Sequence, residues 1–188
     1  MTWHPKTVSW AQAIEAHYAL CWKASGVPCL FGKGRVSDLP KDFCVLKFPP
    51  RPDRGMWTYA TRCMSQPDDE DALELHCFSP DDDFGLVELL YATAHFHRTA
   101  ERLGLGHTVN FGRAWSPGSN LTFGLISSPY LDGPSLEHAG SIQARFLWLL
   151  PVYEEEVLMK RAEGLDALEE AFQRANLDYS NAQRPSVA

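Results

Sequence analysis

The segment from residue 104 to residue 134 restricts the fold of this chain more than any other part of its sequence. It holds six glycines and three prolines around two short apolar runs. Because glycine and proline interrupt helices and occupy turns, such a segment folds as short strands joined by tight turns. We therefore predict strands at 107–111 and 121–127, a turn at Pro117-Gly118 between them, and another turn at 132–134.

The hydrophobic pattern predicts the other helices and strands. Ser9 followed by Gln12 is a candidate capping box in front of an apolar helical repeat, and the acidic run 81–83 suits the N-terminus of a second helix. Between and after these helices, short β-rich runs are bounded by turn residues. The pattern as a whole predicts helices at 10–22 and 84–103, and strands at 44–48, 56–64, 72–78 and 142–150.

The sequence after residue 150 predicts a helical C-terminal region. Pro151 is expected to end the apolar strand 142–150, which we predict to be central in the sheet. Glu154 begins a run of acidic residues typical of a helix start, and Gly164 is a candidate break in the helix. A polar, extended tail is predicted beyond residue 179.

These elements predict an α+β fold with the order α-βββ-α-βββ-α. We expect one domain spanning residues 1–188, with a mostly antiparallel or mixed β-sheet flanked by helices. A chain of 188 residues with 45% hydrophobic content can bury a core without disulfides. Its five cysteines are odd in number and lie in apolar or strand-like contexts, which favours reduced thiols.

Composition and charge exclude several classes of function. The net charge of −7 comes without a basic stripe, so nucleic-acid binding is not expected. No apolar run reaches the roughly 18 to 20 residues of a membrane helix, and residues 1–6 lack the layout of a signal peptide. We therefore expect a cytoplasmic protein that does not bind a membrane.

Candidate metal and cofactor sites are weak. His95 and His97 lie two positions apart on a predicted helix, where their side chains point about 200° apart and cannot chelate one ion. Cys63, His76 and Cys77 have no zinc-site spacing, and His76 and Cys77 face opposite sides of their strand. The glycine-rich loop 112–119 lacks the lysine and the following helix of a phosphate-binding loop. The sequence therefore predicts no metal and no cofactor.

Five residues in the glycine-rich and proline-rich region are candidate partner contacts. Arg113 and Trp115 are of the types that dominate binding hot spots, although burial of Trp115 in the core is an equal alternative. Tyr130 and Asp132 lie on a rigid turn that either presents them or only fixes the fold. His107 is the fifth candidate, and it could instead act as a catalytic base with a cysteine or an acid.

Several segments of the chain occur in a characteristic order: 48–54, 58–65, 88–90, 104–118, 128–134, 146–152, 178–179 and 184–187. Together they resemble the bacterial suppressor-of-fused domain family. Their joint order carries the resemblance, which is clearest over residues 43–187. One departure occurs at Cys63, where the family often has glycine, so a side chain is added where the backbone needs freedom.

The resemblance implies a sheet flanked by helices and a role in binding rather than catalysis. Animal members of the family bind and restrain a transcription factor, and bacterial members are associated with polymorphic toxin systems, where many are proposed to be immunity proteins. Our leading hypothesis is therefore an immunity protein that binds a cognate, basic toxin. The alternatives are a regulatory module that binds a peptide along a sheet edge, and a small enzyme that uses His107.

Overall fold

The computed structural model describes residues 8–32 and 36–188, which form a single mixed sheet of seven strands with five α-helices. Among these residues no helix is long and apolar enough to span a membrane. Residues 1–6, which bear on the expectation of no signal peptide, lie outside the described residues. In chain order the elements are α1 Trp10–Trp22, β1 Val27–Cys29, β2 Cys44–Phe48, β3 Trp57–Arg62, β4 Leu73–Ser79, α2 Phe84–Thr99, β5 Thr108–Asn110, β6 Phe123–Ser127, α3 Pro134–Glu137, β7 Arg145–Val152, α4 Glu154–Glu163 and α5 Leu165–Arg174.

The strands are arranged in the order β1-β2-β3-β4-β7-β6-β5. Only the β4–β7 pair is parallel, with Leu73 opposite Arg145 and His76 opposite Trp148; the other pairs are antiparallel. The α+β class and the mixed sheet flanked by helices are therefore confirmed, and β7 is an interior strand as expected. The edge strand β1 and the short helix α3 were not anticipated.

Local sequence signals position the helices. Ser9 and Gln12 form the capping box of α1, and the Asp83 side chain accepts from the Gly85 N–H at the start of α2. Gly164 separates α4 from α5 and has a φ of 99°, a conformation that favours glycine.

The prediction that Pro151 ends the apolar strand is wrong, because β7 continues to Val152. Pro151 lies opposite Gly124 of β6, beyond the last residue of β7 that pairs with β4. Proline is tolerated at a strand position where no neighbouring strand needs a hydrogen bond from its N–H. The carbonyl of Pro151 accepts from the Arg184 guanidinium at 3.2 Å.

The helices cover the two faces of the sheet unequally. Helix α2 packs on one face, against side chains that include Leu75, Cys77 and Leu149. On the other face, α1 and α3 cover the half of the sheet nearer β2, and α4 and α5 cover the half nearer β6. Because successive side chains of a strand point to opposite faces of the sheet, the even-numbered residues of β4 point to this second face.

Cys63 adopts the left-handed backbone conformation expected of the glycine that it replaces. Its φ is 63°, and its side chain is 2% exposed in the core beneath α1. The turn therefore keeps the geometry that favours glycine, and burial of the thiol side chain offsets part of the conformational cost.

Candidate functional site

A cavity of about 680 Å³ is lined in part by His107. It lies between the residues that follow α2, the first residues of β4 and β7, and the loop that joins α3 to β7. We call it the His107 cleft. Leu73, Leu103 and Leu147 are almost fully buried and form part of its apolar lining, whereas Leu105 remains 38% exposed.

Charged side chains surround this apolar floor. Arg102 is paired with Asp69 at 3.1 Å, and Arg145 is paired with Glu137. The carboxylates of Glu70 and Asp71 also line the cleft, are exposed, and form no ion pair within the described part of the chain. Asp69 also pairs with Arg98. Four carboxylates therefore meet three guanidinium groups at and around the cleft, and their net charge is −1.

The surroundings of His107 do not favour nucleophilic catalysis. Among the described residues that line the cleft there is no cysteine, serine or threonine. Burial raises the pKa of Cys44 to about 11 and that of Cys63 to about 12, and it also raises the pKa of Cys77. Thiols with raised pKa values are poor nucleophiles.

Arg113 and Trp115 lie in different environments, the first at the surface and the second in the core. The Arg113 side chain is 44% exposed, donates to the Gly85 carbonyl at 2.9 Å and pairs with Glu88 at 3.2 Å, next to the start of α2. Trp115 is only 4% exposed and packs beside the Phe111 ring in the core beneath α2. Its surroundings give Trp115 a structural role, which corresponds to the core alternative.

The Asp132 carboxylate is an internal anchor. It accepts from both terminal nitrogens of Arg54, at 2.5 and 3.1 Å, and from the Trp22 indole N–H at 2.9 Å. Its side chain is 7% exposed. The His76 ring nitrogen lies 3.9 Å from the same carboxylate. Asp132 therefore joins the end of α1 to two loops and has little capacity left for a partner.

Tyr130, two residues earlier, is 49% exposed. It lines a small cavity of about 140 Å³, which we call the Tyr130 pocket, together with Leu150, Glu169, Phe172, Gln173 and Tyr179. Burial raises the pKa of Tyr130, and the adjacent Glu169 carboxylate raises it further. His107 and Tyr130 thus line different cavities, and the five candidates do not form one site.

The two histidines of α2, His95 and His97, also lie in different environments. His97 is buried, where its ring accepts from the Leu103 N–H at 3.0 Å and lies 3.3 Å from the Ser65 hydroxyl. His95 is partly exposed and faces Asp38 at 3.2 Å. Burial lowers the pKa of His97 to about 4. One histidine therefore supports the core while the other faces solvent, as the sequence indicated.

Sequence reasoning missed several residues of these sites. Glu169, Phe172 and Gln173 follow i, i+3, i+4 spacing on α5, so the sequence does place them on one helix face. Nothing in the sequence joins that face to Tyr130. The buried side chains of Glu74 and His76 were also missed as polar core residues, because alternation in β4 is compatible with a solvent-facing strand surface.

The fold and these cavities define an α+β domain with two exposed concave sites that suit the binding of other molecules. Comparison with known families then identifies the chain. The sequence model of "Suppressor of fused protein (SUFU)" matches residues 40–185. The chain belongs to the suppressor of fused family, and the resemblance noted in the sequence is confirmed.

Solved structures agree with this assignment. The crystal structure of a SUFU homologue from Neisseria gonorrhoeae FA 1090 has a TM-score of 0.85 and 29% identity, covering 95% of this chain and 97% of that one. The Sufu-Fu complex matches with a TM-score of 0.68 and 15% identity, over 97% of this chain and 93% of that one. Drosophila Suppressor of Fused gives a TM-score of 0.69 and 15% identity, over 98% of this chain but only 52% of that one. No curated protein matches the sequence.

Proposed function

We propose that this chain is a non-catalytic protein-binding domain that acts as an immunity protein, neutralising a cognate basic toxin by covering its working surface. The observation that carries the proposal is the His107 cleft. It combines a volume of about 680 Å³ and an apolar floor with two exposed carboxylates that form no ion pair among the described residues, Glu70 and Asp71. Concave apolar surface with a few polar groups at its rim is the usual form of a recognition site.

Membership of the family supports binding rather than catalysis. One of the similar structures is that of a Sufu-Fu complex, so a protein of this fold forms a complex there. In the present chain, the exposed Leu105 and the ring of His107 would meet the partner at the cleft. Arg113 and Tyr130 are proposed as contacts outside it.

Charge supports a basic partner. The chain has a net charge of −7, and the cleft adds local negative charge. Opposite charges steer partners together and raise the association rate, and salt screens the effect. A cationic toxin such as a nuclease would therefore associate quickly at low ionic strength.

The test uses purified chain and the product of the neighbouring gene. Isothermal calorimetry should show saturable binding, and co-expression should protect cells from that product. In the Glu70→Lys/Asp71→Lys double variant, the association rate measured by stopped flow should fall by about tenfold at low salt. Glu154→Lys/Glu155→Lys makes the same charge change at two exposed acids that begin α4, after the end of β7 that does not line the cleft, and it should leave the rate within about twofold. Absence of both binding and protection would overturn the proposal.

The free edge of β5 favours a second candidate, a regulatory domain that binds a short peptide. The His107 carbonyl accepts from Ile126, and the Phe111 N–H donates to Thr122, so these residues face β6. The alternation of an antiparallel ladder then turns the backbone groups of Thr108 and Asn110 to the free edge. A peptide could extend the sheet there, beside the His107 cleft.

Partner size separates the two candidates. A fragment series of the neighbouring gene product should bind only when folded if the chain is an immunity protein. A regulatory peptide-binding domain would instead retain most of its affinity for one short, unfolded segment.

A further inference from the structure

The Tyr130 pocket combines three aromatic rings with one carboxylate. Four segments contribute to it: the turn that carries Tyr130, β7, α5, and the C-terminal segment that carries Tyr179. Aromatic rings dominate its wall, and the Tyr179 ring packs 5.0 Å from the ring of buried Trp148. The wall is therefore held in place by the core.

One carboxylate lies in this aromatic setting. Glu169 is half-buried, and it accepts from the Ser127 hydroxyl at 3.3 Å. Within the described residues no lysine, arginine or histidine forms an ion pair with it. The arginine that acts electrostatically on Tyr179 is Arg184, and it is already bound by Glu156 through two contacts of 2.6 and 2.7 Å. The Tyr130 side chain also hydrogen-bonds to Glu169. Neither hydroxyl neutralises the carboxylate, so Glu169 keeps a negative charge that an external cation can pair with.

The size of the pocket limits what it can hold. About 140 Å³ is several times the roughly 30 Å³ that one water molecule occupies in the liquid. It is well below the roughly 300–1,000 Å³ of ordinary cofactor and small-molecule sites. The end of one side chain fits these dimensions.

We propose that the Tyr130 pocket binds an arginine side chain of a protein partner. A guanidinium stacks on aromatic faces and donates in a planar fork to a carboxylate, so it satisfies both the rings and Glu169. The side-chain carbonyl of Gln173 can accept a further N–H. An apolar side chain would desolvate Glu169 without supplying an opposite charge, which is unfavourable.

The surface around the pocket suits a protein rather than a free amino acid. Tyr130, which lines the pocket, and Leu131, which follows it in the chain, are 49% and 46% exposed. Interface anchors are commonly a charged or aromatic side chain in a pocket, surrounded by contacts that exclude water. This inference rests on the proposed protein-binding function and adds the kind of side chain that the partner supplies.

The test measures binding of a single side chain by NMR on the full, ¹⁵N-labelled chain. The probe is N-acetyl-arginine methylamide, and its neutral counterpart of the same shape is N-acetyl-citrulline methylamide. We expect saturable shifts at the Trp148 indole and the Tyr179 amide, with a Kd of about 1–10 mM for the arginine probe. The citrulline probe should bind at least about fivefold more weakly.

Two matched variants decide the role of the carboxylate. Glu169→Gln should reduce the preference for arginine over citrulline to less than about twofold. Glu170→Gln, an equal charge change on the next, exposed position of α5, should keep the preference. The proposal is overturned if both probes bind equally, if neither shifts Trp148 and Tyr179, or if Glu170→Gln loses the preference as fully as Glu169→Gln.

The result is independent of the partner experiment. If the neighbouring gene product binds but the arginine probe does not, the pocket assignment fails and the proposed function stands. If the arginine probe binds with the expected preference but the gene product does not associate, the immunity role fails and the pocket stands.

Discussion

Strand β4 carries two buried ionisable side chains, Glu74 and His76, on the same face, and their surroundings differ completely. Glu74 accepts from the Thr61 hydroxyl at 2.6 Å and from the backbone N–H groups of Met64 and Ser65 at 3.2 and 3.4 Å. Within the described residues, neither ring nitrogen of His76 makes a hydrogen bond. Both side chains are 0% exposed, so burial alone does not tell a buried polar group that holds hydrogen bonds from one that makes none.

The contacts explain what each residue does. Glu74 fixes the turn after β3, and the Ser65 hydroxyl in that turn contacts His97, which in turn holds the Leu103 backbone at the edge of the His107 cleft. His76 instead packs among the rings of Trp22, Phe78 and Trp148. Hydrogen bonds to a buried group decide how much its removal costs, because unpaired partners lose their solvation.

The largest effect is expected at Glu74. Glu74→Ala leaves three buried donors without an acceptor and should lower the free energy of unfolding by about 3–5 kcal/mol. Urea denaturation at pH 7 measures this loss. Glu74→Gln keeps one acceptor oxygen and should cost clearly less; equal losses in the two variants would contradict the hydrogen-bonding account.

Glu74 should also make the stability of the protein depend on pH around neutrality. Burial raises the pKa of Glu74 from 4.5 to about 8. Since the folded state then holds a proton that the unfolded state releases, the contribution of Glu74 to stability falls as the pH rises from 4.5 to 8, by up to about 1.4 kcal/mol per pH unit. Denaturation midpoints of Glu74→Gln should vary less with pH over this window than those of the wild type.

An intermediate effect is expected at Asp132, whose carboxylate lies 3.9 Å from the His76 ring nitrogen. Asp132→Ala leaves the Arg54 guanidinium, whose side chain is 12% exposed, without its carboxylate. We expect a loss of about 2–3 kcal/mol in unfolding free energy, measured by urea denaturation. Asp53→Ala is the control, because Asp53 pairs with Arg51 but its side chain is 74% exposed; its loss should stay below about 0.5 kcal/mol. A similar loss in both variants would show that Asp132 is not an internal anchor.

The smallest effect at neutral pH is expected at His76. His76→Leu removes no hydrogen bond and should change the unfolding free energy by less than about 1 kcal/mol at pH 7. His97→Leu, which does remove hydrogen bonds, should cost about 1–3 kcal/mol. If His76→Leu proved as costly as His97→Leu, the contrast drawn between bonded and unbonded groups would be wrong.

At acid pH, His76 should lower the stability of the folded protein, unlike at neutral pH. Burial lowers its pKa from 6.5 to about 4. The unfolded chain therefore takes up a proton that the folded chain refuses, and wild-type stability falls as the pH drops from 6.5 to 4. His76→Leu should remove this part of the acid sensitivity, seen as a shallower fall of the thermal midpoint over that range. An unchanged slope would contradict the lowered pKa.

Much of the fold could be predicted from local sequence signals. The capping box at Ser9 and Gln12 gave α1 its start, and β2 lies at the predicted residues. Helix α2 ends at Thr99 rather than at 103, and β7 passes through Pro151, because each end depends on neighbours elsewhere in the chain. Helix and strand ends are set by tertiary contacts more often than their centres are.

The candidate sites could be predicted only in part. His107, Arg113 and Tyr130 are exposed, but Trp115 and the Asp132 carboxylate are occupied by internal contacts. A tryptophan or a carboxylate in a turn has the same local sequence whether it faces a partner or the core. Burial is a property of the assembled fold, so these residue types could not reveal it.

The sequence by itself determined the α+β class, the family and most of the helices and strands, but not β1 and α3. Capping, periodicity and turn chemistry act over a few residues, so the longer elements could be predicted locally. The tertiary structure alone decided that β4 and β7 lie parallel, that Glu74 is bonded while His76 is not, and that Tyr130 meets Glu169 and Tyr179. These features join segments dozens of residues apart. Their energies come from packing and from solvent exclusion, which exist only once the chain has folded.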